Sequence, residues 1–134
     1  MVGHALSTIV AALVAFAIGA LWYSPILFAK AWVRAHGYTP ERVAAIQASA
    51  ARTYTGTFVA LLLMAGVLHI VLAHLGADSA RDGAGWGFHL WLGIALPLGF
   101  IAHLYSDKSA AAFAIDAGYQ LVYMTVMGAI LGAW

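Results

Sequence analysis

The sequence predicts an all-α, polytopic membrane protein, a four-transmembrane-helix up-down bundle with a cytoplasmic helical elbow between spans 1 and 2. Of its 134 residues, 64% are hydrophobic and 8% are charged, whereas soluble domains have about 45–50% apolar and about 25% charged residues. Four stretches are also long enough to cross a bilayer, which takes about 20 mostly apolar residues. We therefore expect residues 1–134 to form a single integral membrane domain.

The predicted spans are residues 5–28, 54–75, 86–105 and 110–133. The connection 29–53 is of moderate length, and the connections 76–85 and 106–109 are short. Short connections favour antiparallel neighbours, so we expect one compact bundle without a separate soluble domain.

The first connection carries two helix-start signals. Ser24-Pro25 predicts a kink in the first span, which then resumes as a short helix ending at His36-Gly37. Thr39-Pro40 predicts a second start, and the helix after it can run without interruption through Arg52 into the second span. The result would be an elbow near the lipid surface, whose cations we interpret as a topology signal rather than as a lipid-binding site.

The basic residues of the connections predict the orientation, because cytoplasmic loops are enriched in Lys and Arg. The first and third connections lie on the same side and hold five basic residues, whereas the second holds only Arg81; the five are Lys30, Arg34, Arg42, Arg52 and Lys108. We therefore expect a multi-pass protein of the bacterial cytoplasmic (inner) membrane with both termini periplasmic. No Lys or Arg precedes the first span, so we expect that span to be retained rather than cleaved as a signal peptide.

The charge and the cysteine count exclude several classes of partner and cofactor. A formal net charge of +1 gives no basic face for nucleic acid. The absence of cysteine excludes disulfides, Fe–S clusters and thiolate metal sites. The expected partners are the lipid bilayer and further copies of the chain, with a homodimer favoured.

Residues 19–25, Gly-Ala-Leu-Trp-Tyr-Ser-Pro, continue with Leu27-Phe28, Lys30 and Trp32. They resemble the signature of the small bacterial membrane proteins known as domain of unknown function 1761. The closing segment, Gly118-Tyr119 and residues 127–132, is similar to the last span of that family. The resemblance covers nearly the whole chain and implies a four-span bundle, but it implies no reaction.

Asp116 is the one formally charged residue that falls inside a predicted span rather than at its end. A carboxylate at that depth costs about 2.5–3.5 kcal/mol on insertion scales, so it usually faces the bundle interior for a functional reason. Gln120, Tyr123 and Met127 share its helix face, with Tyr119 at the edge. Small residues, including the Gly128/Gly132 pair, form the opposite face and predict close helix packing, which can include a dimer contact.

His103 lies in the same third of the membrane as Asp116, so the two side chains can form one site. The other interfacial aromatic side chains, Trp32 among them, are interpreted as membrane anchors. The predicted binding residues are Asp116, Tyr119, Gln120, Tyr123, His103, Trp22 and Tyr23.

Pro97 should bend the third span and free the carbonyl of Gly93, for which the Tyr123 hydroxyl is a candidate donor. On the second and third spans, His69 and His89 lie at similar depth, so they are a candidate pair of metal ligands.

Three functions remain open. The first is a binding or transport module for a small solute or protons, centred on Asp116. The second is a histidine-ligated haem or divalent-metal protein, although no cofactor is indicated by a motif. The third is a non-catalytic oligomeric scaffold built on two small-residue faces, Ala11, Ala15 and Gly19 in the first span and Gly128 and Gly132 in the fourth. No hydrolase motif occurs, so no catalytic residue is predicted and an enzyme is disfavoured.

Overall fold

The computed structural model describes residues 2–134, and in this part of the chain the regular structure is entirely helical. The helices are α1 (Val2–Trp22), α2 (Ala29–His36), α3 (Pro40–Ala48), α4 (Ala50–His74), α5 (Ala80–Leu90), a π-helical turn (Trp91–Ala95), α6 (Leu96–Leu104) and α7 (Ala110–Ala133). Four helical stretches are long and apolar enough to cross a membrane: Gly3–Trp22, Ala50–His74, Ala80–Leu104 and Ala110–Ala133. The predicted all-α class with four membrane-length helices is confirmed.

The last helix, α7, is the centre of the fold, because it packs against α1, α4, α5 and α6. It runs antiparallel to α1, since Tyr119 contacts Ala15 whereas Ile115, nearer the start of α7, contacts Trp22 at the end of α1. Chain neighbours are not always the main packing partners: α4 and α5 touch only slightly despite their short connection. The buried core joins α1, α4 and α7, and consists of Ala11, Ala12, Ala15, Leu61, Ala65, Leu68, Leu72, Tyr123, Met127 and Leu131.

Glycines bring α5 and α7 into backbone contact. A Cβ atom added to Gly83 would overlap the carbonyl oxygen of Gly128, and one added to Gly87 would overlap that of Met124. The small-residue face of the fourth span, Gly128 and Gly132, is therefore occupied by α5 of the same chain.

The small residues of the first span are also used within the chain. Ala11 and Ala15 are fully buried, and a Cβ atom on Gly19 would lie 2.6 Å from the Tyr119 hydroxyl oxygen. The homo-oligomer stays a prediction, but these two faces do not support it.

The segment between α1 and α4 differs in detail from the expectation. α1 ends at Trp22, and a helix resumes at Ala29 rather than at Pro25. α2 ends as expected at His36, followed by Gly37 with a left-handed φ of 68°, and Thr39 caps α3 by accepting a hydrogen bond from the Arg42 amide.

The expectation of one uninterrupted helix from Pro40 into the second span is wrong. α3 ends at Ala48, and α4 begins at Ala50. At Ser49 between them, both the amide and the hydroxyl donate to the carbonyl of Ile46, at 3.2 and 3.1 Å. Serine competes in this way with regular helical hydrogen bonding, and the helix breaks there.

The third membrane-length stretch contains a π-helical turn just before Pro97. The amide of Leu96 donates to the carbonyl of Trp91, five residues earlier. The helical hydrogen bonds are therefore rearranged before Pro97, because proline has no N–H to donate. The Tyr123 hydroxyl does not donate to the carbonyl of Gly93, because it donates instead to the sulfur of Met64 at 3.7 Å.

Candidate functional site

The carboxylate of Asp116 is the acceptor of two side-chain hydrogen bonds. The Tyr23 hydroxyl donates to its Oδ1 at 2.6 Å, and the indole Nε1 of Trp32 donates to the same oxygen at 3.1 Å. Hydrogen bonds to an ionised acceptor are roughly twice as strong as neutral ones. The two aromatic donors therefore hold Asp116 in one orientation on α7, about 9 Å from the helix start at the usual rise per residue.

The turn after α1 brings these donors to α7. The indole of Trp22 donates to the carbonyl of Ile115 at 3.0 Å, and its ring lies so close to Gly118 that a Cβ there would be 3.0 Å from Cζ2. The Ser109 hydroxyl donates to the carbonyl of Ala35 at 2.8 Å, which attaches α2 to the start of α7. These contacts fix where Tyr23 and Trp32 stand relative to Asp116.

Tyr23 lies one residue beyond α1 and acts as a hydrogen-bond donor. Burial raises the pKa of its hydroxyl above the ordinary 10.0, and the hydrogen bond to Asp116 and the charge of that carboxylate raise it further. The phenol therefore stays protonated at neutral pH and keeps donating to Asp116.

A cavity of about 180 Å³ lies beside Asp116, between α6 and α7. No side chain of residues 2–134 donates to Oδ2 of Asp116, and this atom is not among the buried polar atoms without a partner in that part of the chain, so it is partly accessible. Asp116 also lines the cavity, and Oδ2 is its carboxylate oxygen without a side-chain donor. The lining residues are Gly99, Ala102, His103, Ser106, Lys108, Phe113, Asp116, Ala117 and Gln120.

The polar groups of this cavity can serve both as donors and as acceptors. Gln120 offers an amide oxygen and an NH₂ group, and a neutral His103 offers one nitrogen of each kind. The His103 ring is stacked on Phe113, with centroids 5.0 Å apart, which holds it against the start of α7. The cavity therefore combines a carboxylate, an imidazole and an amide in its lining.

The structure brings together only part of the set of candidate residues. Asp116, Gln120 and His103 line the cavity, and Tyr23 orients the carboxylate. The other three act in packing between helices: Trp22 donates to Ile115, Tyr119 donates to the carbonyl of Ala15 at 2.8 Å, and Tyr123 belongs to the buried core.

The two candidate metal ligands have separate contacts. The ring of His69 meets that of His4, with centroids 4.6 Å apart, whereas Nδ1 of the exposed His89 lies 2.7 Å from the carbonyl oxygen of Gly85 in its own helix. Within residues 2–134 there is no group of three His, Asp or Glu side chains that could hold a metal ion. The metal alternative stays a prediction without a geometric site.

Sequence reasoning missed three residues that bring a polar side-chain group to the site, Trp32, Ser106 and Lys108, as well as the apolar lining residues. The sequence does indicate that Trp32 could reach Asp116, because both residues are predicted near the same side of the membrane. An indole N–H at that level can donate to a carboxylate as well as to a lipid headgroup. Ser106 and Lys108 belong to the predicted connection between the third and fourth spans, and a connection of that length gives no indication that its side chains line a cavity.

A family model described as protein of unknown function (DUF1761) matches residues 6–132, nearly the whole chain. The resemblance seen in the sequence is confirmed. Comparison with curated proteins and with solved structures finds no match.

Proposed function

We propose that this chain, which belongs to the DUF1761 family of proteins of unknown function, binds a small polar solute or protons inside the membrane. Asp116 is the proposed centre of binding, and movement of the bound species across the bilayer is the proposed activity. One observation carries the proposal: Tyr23 and Trp32 both donate to Oδ1 of Asp116, which leaves Oδ2 without a side-chain donor on a residue that lines a cavity.

The two carboxylate oxygens of Asp116 differ: Oδ1 accepts two side-chain hydrogen bonds, and Oδ2 accepts none from a side chain of residues 2–134. This division suits a binding group, since the held oxygen fixes the geometry and the other receives the ligand.

The cavity sets the size and the chemistry of the proposed ligand. Its volume of about 180 Å³ admits a few waters or a solute of a few heavy atoms. A carboxylate oxygen favours a donor or a cation, so a small protonated amine is the proposed solute class, and the hydronium ion is the limiting case. Lys108 also lines the cavity, and its positive charge opposes a multivalent cation more strongly than a monovalent one.

We propose further that the protein lies in the inner membrane of bacteria with both termini periplasmic. The support is the distribution of basic residues, because Lys30, Arg34, Arg42, Arg52 and Lys108 all lie on the side where α2 and α3 stand. In this orientation α2 and α3 form a cytoplasmic elbow, and the Asp116 cavity lies toward the cytoplasm.

Reconstitution into liposomes tests the proposal. Proton flux, followed with an enclosed pH dye, and uptake of methylammonium should both fall to the level of empty liposomes in Asp116→Asn. Asparagine keeps an oxygen that can accept from Tyr23 and Trp32 but loses the charge, so the fold is retained.

Asp107→Asn is the matched control, because Asp107 is exposed and outside the cavity, and it should behave like the wild type. Equal flux of both probes in Asp116→Asn and in the wild type would refute the proposal.

A further inference from the structure

A groove of about 660 Å³ lies along α2 and the start of α3, and it shares no lining residue with the Asp116 cavity. Five of its lining residues present apolar side chains or bare backbone, and the other three are two cations and a tyrosine. The lining residues are Pro25, Ala29, Lys30, Val33, Arg34, Gly37, Tyr38 and Val43.

The groove is positively charged. Lys30 and Arg34 are four residues apart on α2, so they project from the same face, and both are exposed. The guanidinium of Arg42 lies 5.8 Å from the ring centre of Tyr38, which is part of the wall. Glu41 is the only acidic residue between residues 24 and 53, so an anion would be attracted to this groove.

The groove adjoins apolar surface that is unsuited to water. In the turn between α1 and α2, Ile26 exposes 81% and Leu27 exposes 46% of its surface. Side chains of this kind insert into the boundary between headgroups and acyl chains. The groove belongs to the segment that joins two membrane-length helices, so a bilayer crossed by those helices would have its surface near the groove.

We propose that this groove binds an anionic phospholipid, which revises the interpretation of the cations in this segment as a topology signal alone, because Lys30 and Arg34 line one groove. Lys30 and Arg34 contact the phosphate through charge-assisted hydrogen bonds, and Val33 and Val43 contact the first carbons of the acyl chains. The same phosphate chemistry could come from free phosphate in water, but the apolar wall and the exposed Ile26 favour a lipid. The proposal is independent of the function proposed for Asp116.

The test is lipid retention by the full-length protein. The protein is purified in detergent, equilibrated with an equimolar mixture of phosphatidylglycerol and phosphatidylcholine, and examined by native mass spectrometry. The wild type should retain one phosphatidylglycerol in preference to phosphatidylcholine. Arg34→Gln should reduce this preference about fivefold, as expected for one basic residue at a lipid surface.

Arg52→Gln is the matched control, because Arg52 is also an exposed arginine of the same connection but lies outside the groove. It should leave the preference unchanged, and added inorganic phosphate should not displace the lipid. An equal loss in Arg34→Gln and Arg52→Gln would overturn the proposal, because it would indicate unspecific charge attraction. So would the absence of any preference in the wild type, and so would displacement by inorganic phosphate, which would indicate a site for a soluble anion.

Discussion

Two aromatic donors distinguish Asp116 from a carboxylate that is merely tolerated in a membrane helix. Tyr23 and Trp32 belong to different parts of the segment after α1, yet both donate to Oδ1. The pair therefore couples the orientation of the carboxylate to the position of this segment. The loss of either donor should change how the Asp116 carboxylate is held.

Tyr23→Phe removes the shorter of the two hydrogen bonds and keeps the ring. Hydrogen bonds to charged groups contribute about 1.5–3 kcal/mol, so we expect the free energy of unfolding in detergent to fall by about this amount. Tyr105→Phe removes a hydroxyl from a side chain that is 90% exposed, and it should have no effect. Equal stability of the two variants would show that the bond to Asp116 contributes nothing.

Trp32→Phe tests whether the indole acts through its N–H rather than as a membrane anchor. Phenylalanine can still pack at the boundary but cannot donate to Asp116, so methylammonium uptake should fall while the protein still inserts. Trp86→Phe is the control, because the partly exposed Trp86 lies outside the cavity. If both variants transport like the wild type, the Trp32 indole is only an anchor.

At the residue scale, the sequence singles out Asp116 because a charge inside a membrane span is rare and costly. It also includes Tyr23 among the binding residues, but it does not predict that Tyr23 and Trp32 together donate to Oδ1. The choice of donors depends on the turn between Trp22 and Ala29, because this turn determines where α2 packs along α7. A single sequence does not reveal that packing position. For the same reason Tyr119 and Tyr123, which share a helix face with Asp116, were placed in the site although they pack against α1 and α4.

At the scale of elements, the contact between α5 and α7 brings two helix backbones together. Gly83 and Gly87 on α5 meet the backbone of Gly128 and Met124 on α7. Such contact is typical of membrane helices, where small residues let backbones approach and van der Waals packing replaces the hydrophobic effect.

Gly83→Ala should separate these helices, because the added methyl group would overlap a backbone carbonyl that has no freedom to rotate away. We expect a loss of about 1–3 kcal/mol in the free energy of unfolding, as for other overpacked sites. Gly85→Ala is the control on the same helix, because a Cβ there meets no atom within 4 Å, and it should be neutral or slightly stabilising. A Gly83→Ala variant as stable as Gly85→Ala would contradict this packing.

The sequence predicted the helices well where hydropathy decides and less well where backbone chemistry decides. The small-residue face of α7 was evident from the sequence, but its packing partner was not. Small residues allow close packing equally against α5 of the same chain and against a second copy of the chain. The sequence also did not predict the break at Ser49 or the π-helical turn at Trp91–Ala95. Serine and the residues before a proline are tolerated within membrane helices, so they gave no indication of either feature.

At the scale of the whole molecule, the four membrane-length helices and the basic residues of the connections predict one orientation. The chain has no cysteine, so a single introduced cysteine reports one position. In spheroplasts, Asp78→Cys should react with a membrane-impermeant maleimide directly, and Ser49→Cys should react only after permeabilisation. The reverse pattern would place both termini in the cytoplasm.

The central claim is that Asp116 faces a cavity that water and small solutes can enter. Gln120→Cys tests it most directly, because Gln120 lines the cavity one turn beyond Asp116, and a thiol reacts as the thiolate, which forms where water has access. In permeabilised membranes a small water-soluble methanethiosulfonate should modify Gln120→Cys, whereas Leu121→Cys, which is outside the cavity, should stay unmodified. A Gln120→Cys variant as unreactive as Leu121→Cys would show a dry, closed core and contradict the account.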